Sequence, residues 1–272
     1  MSKLFIDPRD CKPIASGECL SAIGLGTWAI RDYERAYRVF IYALEHGVNH
    51  VDTAEMYDSG RAEEFIGRVV EAVGRDNVFI TTKMLPKHLR SRDTVLKAAK
   101  ASLKRLGVSY VDLYLIHWPN EDMSISEQVR NFEAVYLEGY TRYIGVSNFN
   151  VVELAEAIHS TRKADIVVDQ VYYSVLNRGI EKDLLPYAIE NNVLIQAYTP
   201  LERGAIVSHK VLEGIGRKYG KTAIQVALNY LISHYNVVAI PKTENMEHLV
   251  EILGSMNWRL SIEDILFIKE NV

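Results

Sequence analysis

Short apolar runs alternate with amphipathic stretches from residue 22 to the end of the chain. The runs are AIGLG (22–26), VNHVDT (48–53), VFITTK (78–83), VDLYLIH (111–117), YIGVS (143–147), IVVDQV (166–171), LIQAY (194–198) and VVAIP (237–241). Several are apolar over most of their length, the pattern of strands buried on both faces. The gaps carry helical periodicity. Tyr37, Phe40, Ile41 and Leu44 recur three and four apart, and so do Ala223, Val226, Ala227 and Tyr230. The second set predicts an extra helix between Tyr219 and the eighth run. A final helix is predicted from Ser261, where Ser-x-x-Asp resembles a capping box with Asp in place of Glu.

Eight strand–helix units in order predict an α/β fold of the (β/α)8 TIM-barrel type, with extra helices near the C-terminus. The 272 residues suit one such domain, and no Pro/Gly/Ser linker or charge block divides them. Residues 1–20, with Pro8, Pro13 and Gly17, are expected to form an N-terminal hairpin or cap outside the barrel. The competing architecture is an open dinucleotide-binding sheet. Gly24-Leu-Gly26-Thr-Trp-Ala29 matches G-x-G-x-x-A after an apolar run. That motif needs its helix to open inside the glycines, whereas the helical pattern here begins only near Asp32 and Tyr33.

The net charge of -4 is small and its signs are interspersed, which argues against a nucleic-acid-binding surface. The apolar runs are strand-sized, so no membrane span is expected. MSKLFIDPRD lacks an apolar signal core, and a cytoplasmic location is expected. Cys11 and Cys19 lie close enough in sequence to meet in a hairpin, but two reduced thiols are the expectation for a cytosolic chain. No metal site is expected from the histidines.

Polar residues recur where the apolar runs end. In a barrel the strand C-termini converge on one face, where function sits. Asp52, Lys83 and His117 close the second, third and fourth runs, and Tyr57 follows in the loop after the second. A phenol has an ordinary pKa near ~10, and a neighbouring ammonium favours its phenolate. Asp52 is positioned to pair with Lys83, and His117 to donate to the same oxygen as Tyr57. Such a set stabilises the alkoxide formed when hydride reaches a carbonyl carbon. No side chain donates hydride, so a nicotinamide or flavin is implied. Tyr198 ends the seventh run with an aromatic face for a nicotinamide. Ser147, Asn148 and Gln170 end the fifth and sixth with groups for its carboxamide. Lys242 and Thr243 follow the eighth with a cation and a hydroxyl for a phosphate. Taken singly, each of these residues is ordinary surface or core, and Trp28 and Trp118 ordinary packing; their shared position carries the reading.

These residues resemble the aldo-keto reductase family, from about Gly24 to Glu251. The motifs are Gly24-x-Gly26-Thr27-Trp28, Asp52-Thr-Ala-x-x-Tyr57, Lys83, Leu115-Ile-His117-Trp-Pro119, Gly145-Val-Ser-Asn-Phe149, Gln170-Val-x-Tyr173, Ala197-Tyr-x-Pro-Leu201 and Ile240-Pro-Lys242. The resemblance implies a barrel that binds NADP(H) in extended form, and NADP(H) is expected in preference to NAD(H). It implies Tyr57 as general acid/base, Lys83 and Asp52 as its tuners and His117 as substrate orienter. Gly26, Thr27, Trp28, Ser147, Asn148, Gln170, Tyr198, Leu201, Lys242, Thr243, His248 and Glu251 are the implied cofactor contacts. His117 favours carbonyl over C=C reduction, because members that reduce a steroid double bond carry Glu there. A small aldehyde or ketone is the implied partner, and a monomer the implied state.

Three departures stand out. Asp58 follows Tyr57 where the family has Gly, and Asp tolerates a left-handed turn. His248 replaces the family's phosphate-clamping Arg, and Ile252 its usual Asn. The loop after Trp118 is short, and Val272 follows the last helix closely, where larger members carry a longer segment. An open pocket floored by Trp28, Tyr57, His117 and Trp118 is therefore expected. A cofactor-binding regulatory barrel with little turnover is the alternative from another class.

Overall fold

In a computed structural model, described for residues 6–14 and 17–272, the chain opens with a hairpin. Strands β1 (Cys11–Ile14) and β2 (Glu18–Ser21) pair antiparallel, Cys11 opposite Ser21. Ile14 and Leu20 turn inward from it and join Phe79, Leu113, Leu115, Val168, Leu194 and Val238 in one apolar cluster. This cluster plugs the end of the barrel opposite the polar strand ends. Cys11 and Cys19 are bonded as a disulfide, with Cα atoms 5.4 Å apart. The expectation of two reduced thiols is corrected here: the ladder sets them two positions out of register, close enough to bridge.

Eight parallel strands follow in sequence order: β3 (Leu25–Gly26), β4 (His50–Asp52), β5 (Phe79–Met84), β6 (Val111–Ile116), β7 (Thr141–Ser147), β8 (Ile166–Tyr172), β9 (Leu194–Tyr198) and β10 (Val237–Ala239). Ile23 bridges Ala239, and the Gly24 and Gly26 amides donate to Ala239 and Pro241 carbonyls at 2.9 and 3.0 Å. The sheet thus closes on itself, and the (β/α)8 barrel is established. The run read as 22–26 is strand only at its last two residues, because the preceding ones make the closure. Gly24 has a packing reason unrelated to phosphate binding: a Cβ there would lie 2.1 Å from Cε1 of His50. That ring is fixed by its bond to the Ser21 carbonyl at 3.0 Å.

The helix Tyr33–Glu45 begins where its pattern predicts, with Asp32 accepting from the Arg35 amide. Its buried stripe is Ala36, Val39, Phe40 and Ala43, so small residues let the helix approach the sheet while Tyr37, Ile41 and Leu44 flank the contact. Two helices, Lys210–Tyr219 and Ala223–Ile232, separate β9 from β10. The helix Ile262–Asn271 starts at Ser261, whose hydroxyl accepts from the Asp264 amide at 3.1 Å. The reciprocal half of the box is missing. Asp264 bonds Lys218 and Tyr219 instead, at 2.5 and 2.7 Å, and the Ser261 amide donates to the Tyr219 hydroxyl. Among the described residues no helix is long and apolar enough to cross a membrane.

Asp169 points outward from β8 into the layer beneath the helix Val151–Ser160. It is wholly buried, and among the described residues neither carboxylate oxygen has a well-formed hydrogen bond, the Phe149 amide being the group that approaches it. Burial pushes its pKa well above the usual carboxylate range, against the pull of the Phe149 amide. The folded chain therefore keeps a proton that the unfolded chain releases near pH ~4. Stability falls as pH rises above that point, by about 1.4 kcal/mol per unit while the folded acid stays protonated. Asp169→Asn removes this dependence. Its Tm, relative to the unmodified chain, is expected to rise between pH 5 and pH 8 in calorimetry; a pH-independent difference would show that Asp169 is ionised when folded.

Candidate active site

The polar cluster forms where β4, β5 and β6 end. Asp52 is the last residue of β4, Lys83 lies near the end of β5, and His117 follows β6 with its amide bonded to the Met84 carbonyl at 3.0 Å. Tyr57 sits on a tight turn in which Asp58, Ser59 and Gly60 are all left-handed, at φ 47°, 55° and 94°. Asp58 adopts the conformation the family's glycine would supply. Its carboxylate is tied to the Tyr33 hydroxyl at 3.1 Å and to Arg61 at 3.2 Å.

The Lys83 ammonium is completely buried and has three donors. Asp52 Oδ2 accepts one at 2.7 Å, the Thr53 carbonyl another at 2.9 Å, and Tyr57 Oη the third at 2.9 Å. Tyr57 is therefore an acceptor toward Lys83, which has no lone pair, and its own proton is left for another partner. Burial lowers the Lys83 pKa, but Asp52 and Tyr57 outweigh it and hold the group above its ordinary value. Tyr57 departs from the simple expectation. Lys83 favours the phenolate, yet burial, helped by the Asp52 charge, leaves the phenol pKa raised. Tyr57 is a protonated acid at neutral pH.

His117 lies edge-on to Tyr57, ring centroids 5.7 Å apart at 78°. Burial first, and the Lys83 charge second, push its pKa down to about 2. It is a neutral imidazole, and its buried Nδ1 has no hydrogen-bond partner among the described residues.

Beyond Asp52 the network continues to residues the apolar runs conceal. Asp52 Oδ1 accepts from Gln170 Nε2 at 2.7 Å, and the same nitrogen donates to Gln196 Oε1 at 2.7 Å. Both amide hydrogens of Gln170 are engaged, which leaves its Oε1 as an acceptor. Gln196 was not among the predicted residues; its only signal is an amide in the middle of a strand otherwise apolar. The ends of β6 to β9 are braced together. The Tyr198 hydroxyl donates to Asn148 Oδ1 at 2.8 Å, and Asn148 Nδ2 donates to the His117 carbonyl at 3.1 Å and Ser147 Oγ at 3.0 Å. Ser147 Oγ donates to the Gln170 carbonyl at 2.8 Å.

The loops after β3 and β9 face each other across the mouth. Gly26 lies against β10, where a Cβ would be 3.1 Å from the Ile240 carbonyl oxygen. Thr27 Oγ1 is buried without a partner. The Arg203 guanidinium, just past Leu201, sits 5.2 Å over the Trp28 ring and was not predicted. Trp28 and Trp118 are 49% and 37% exposed, so the mouth is open and aromatic. Lys242 and Thr243 follow β10, and His248 and Glu251 lie on the helix Met246–Leu253. Among the described residues no hydrogen bond joins this group to the Lys83 cluster. His46 and His50 stand four apart but straddle a helix end: His46 is exposed and stacks on Tyr42, while His50 is buried in the barrel.

The Aldo/keto reductase family profile matches residues 22–271. The methylglyoxal reductase YeaE of Escherichia coli is 32% identical over 255 residues, covering 90% of this chain and 89% of its own length. The glyoxal reductase of Bacillus subtilis is 32% identical over 261 residues, covering 94% and 91%. The crystal structure of an aldo/keto reductase from Klebsiella pneumoniae in complex with NADP and acetate superposes with a TM-score of 0.89 at 30% identity, over 96% of this chain and 95% of that one. The barrel, matched over nearly its whole length by these reductases, is that of an oxidoreductase. The chain belongs to the aldo-keto reductase family.

The depressed His117 pKa gives a direct check. Its imidazole resonances are expected to show no titration between pH 5 and pH 9 by NMR. A midpoint inside that interval would mean that the ring is solvated and is not held against Lys83 as described.

Proposed function

We propose that this chain reduces small aldehydes and ketones to alcohols with NADPH, Tyr57 serving as the general acid. One observation carries the assignment: all three Lys83 hydrogens are committed, one of them to Tyr57 Oη, so the Tyr57 proton is the one free to be donated. A bound nicotinamide supplies the hydride. A carbonyl oxygen in the mouth would accept from the Tyr57 hydroxyl and from neutral His117. As negative charge gathers on that oxygen, Tyr57 gives up its proton, and the Lys83 ammonium stabilises the phenolate left behind. Asp52 keeps Lys83 charged in a site that burial would otherwise neutralise.

The residues fit a nicotinamide dinucleotide at its reactive end. Gln170 Oε1 is a free acceptor for a carboxamide, Tyr198 offers its ring, and the orphaned Thr27 Oγ1 awaits a polar partner. Asn148 and Ser147 act by holding Tyr198 and Gln170 in place. Lys242, Thr243, His248 and Glu251 would take the adenosine end, and Gly26, Trp28 and Leu201 the stretch between. The named relatives act on glyoxal and methylglyoxal, and the open mouth suits such small α-oxoaldehydes. The complete Asp52–Tyr57–Lys83–His117 set offers nothing that favours a regulatory barrel without turnover.

NADPH oxidation with methylglyoxal, DL-glyceraldehyde and 4-nitrobenzaldehyde tests this beside Tyr57→Phe. The variant is expected to lose about 10²–10⁴-fold in kcat while still binding NADPH. Full turnover in Tyr57→Phe would remove Tyr57 as the acid. NADPH binding without turnover of any of these aldehydes in the unmodified chain would overturn the proposed activity.

A further inference from the structure

The loop after β10 carries the lysine available to an adenosine phosphate, and beside it an acid. Lys242 Nζ lies 2.8 Å from Glu244 Oε1. Glu244 is not a free arm. Its Oε1 accepts from the Arg31 amide at 3.0 Å and its Oε2 from the Asp32 amide at 2.9 Å. The carboxylate thus pins the loop before the helix Tyr33–Glu45 onto the loop after β10. Burial raises its pKa, but Lys242 and the two amides outweigh that and keep it below the usual carboxylate range. Arg35 and Arg38 border the cleft behind it, and neither forms an ion pair with it among the described residues, so Lys242 is its ionic partner.

Arg35 and Arg38 apart, the segment that carries Lys242 is mostly acidic. From Lys242 to Glu251 the chain has one lysine, three glutamates (Glu244, Glu247 and Glu251) and His248. Thr243 Oγ1 is engaged with Asn245, accepting from its amide at 3.1 Å and donating to its carbonyl at 3.2 Å. A phosphate monoester reaching Lys242 would compete with a carboxylate already in contact and remain next to its negative charge. An unesterified ribose brings hydroxyl donors instead, which a carboxylate accepts.

We propose that Glu244 is the specificity-determining residue for the cofactor: by holding Lys242 in an ion pair it narrows the preference for a 2′-phosphorylated dinucleotide, so that NADH is bound and used alongside NADPH. The proposal rests on the reading that a nicotinamide dinucleotide binds with its adenosine end at Lys242.

Calorimetric titration of the full chain and of Glu244→Gln with NADPH, NADH and 2′,5′-ADP tests it, with no turnover needed. Glutamine keeps a carbonyl oxygen for one of the two backbone amides and removes the charge. NADPH and 2′,5′-ADP are expected to tighten by about tenfold and NADH to stay unchanged or weaken. Equal shifts for both dinucleotides, or none, would overturn the role of Glu244. Lys242→Met in the otherwise unmodified chain is a second arm that leaves the latch in place. A lysine already neutralised should cost NADPH little relative to NADH, and a selective loss of NADPH beyond about tenfold would overturn the proposal. Binding of neither dinucleotide to the unmodified chain would remove the cofactor reading and this proposal together; binding with an unaltered ratio in Glu244→Gln removes this proposal alone.

Discussion

The buried ammonium of Lys83 is the constraint on which the rest of the site depends. A charge without water costs several kcal/mol unless its donors are satisfied. Here the acceptors come from three places: a strand-end carboxylate, the carbonyl that follows it, and a phenol on the next turn. The first two stand side by side because β4 and β5 run parallel with Asp52 opposite Thr81, which places Lys83 just above. The third needs the chain to turn soon after β4: the Tyr57 amide donates to the Ala54 carbonyl at 3.0 Å, and the left-handed residues 58–60 then lead into the helix that follows. Asp52 is in turn bonded to Gln170 on the far side of the barrel, so the ion pair is braced across the closed sheet.

Much of this frame was legible because a barrel strand is buried on both faces until its C-terminal end. The apolar runs therefore located all eight strands, and the polar residues at their ends located Asp52, Tyr57, Lys83 and His117. Strand limits were less legible. The first run is mostly closure rather than strand, since pairing with β10 depends on residues more than two hundred positions away. Asp58 was legible as a left-handed position because its tolerance is a local backbone property.

What stayed hidden depends on three-dimensional neighbours. Gln196 and Asp169 interrupt apolar strands, and nothing in their spacing says that one joins the Asp52 network while the other is buried without a well-formed hydrogen bond. The Cys11–Cys19 bridge follows from the register of the hairpin rather than from compartment statistics. The direction of the Tyr57 shift is a balance between burial and two charges of opposite sign, and only the extent of burial decides it. Arg203 and Glu244 act across loops that are distant in sequence, so neither carried a local signal.

The Tyr57 balance bears on the direction of chemistry. A phenol whose pKa is raised stays protonated throughout the neutral range, the state from which the proposed general acid would start, and is a weaker acid for it. His117, held neutral by burial and by Lys83, can donate a hydrogen bond but does not contend for the role of acid. Lys83 remains charged, with one of its donors on the Tyr57 oxygen. That resting proton inventory is the one from which the proposed carbonyl reduction would start, and the reverse reaction would start by removing the Tyr57 proton against burial and the Asp52 charge. Burial and the Asp52 charge keep the proton on Tyr57 while Lys83 favours its release, and among the described residues no hydrogen bond joins the β10 loop, with its own Lys242–Glu244 pair, to that cluster.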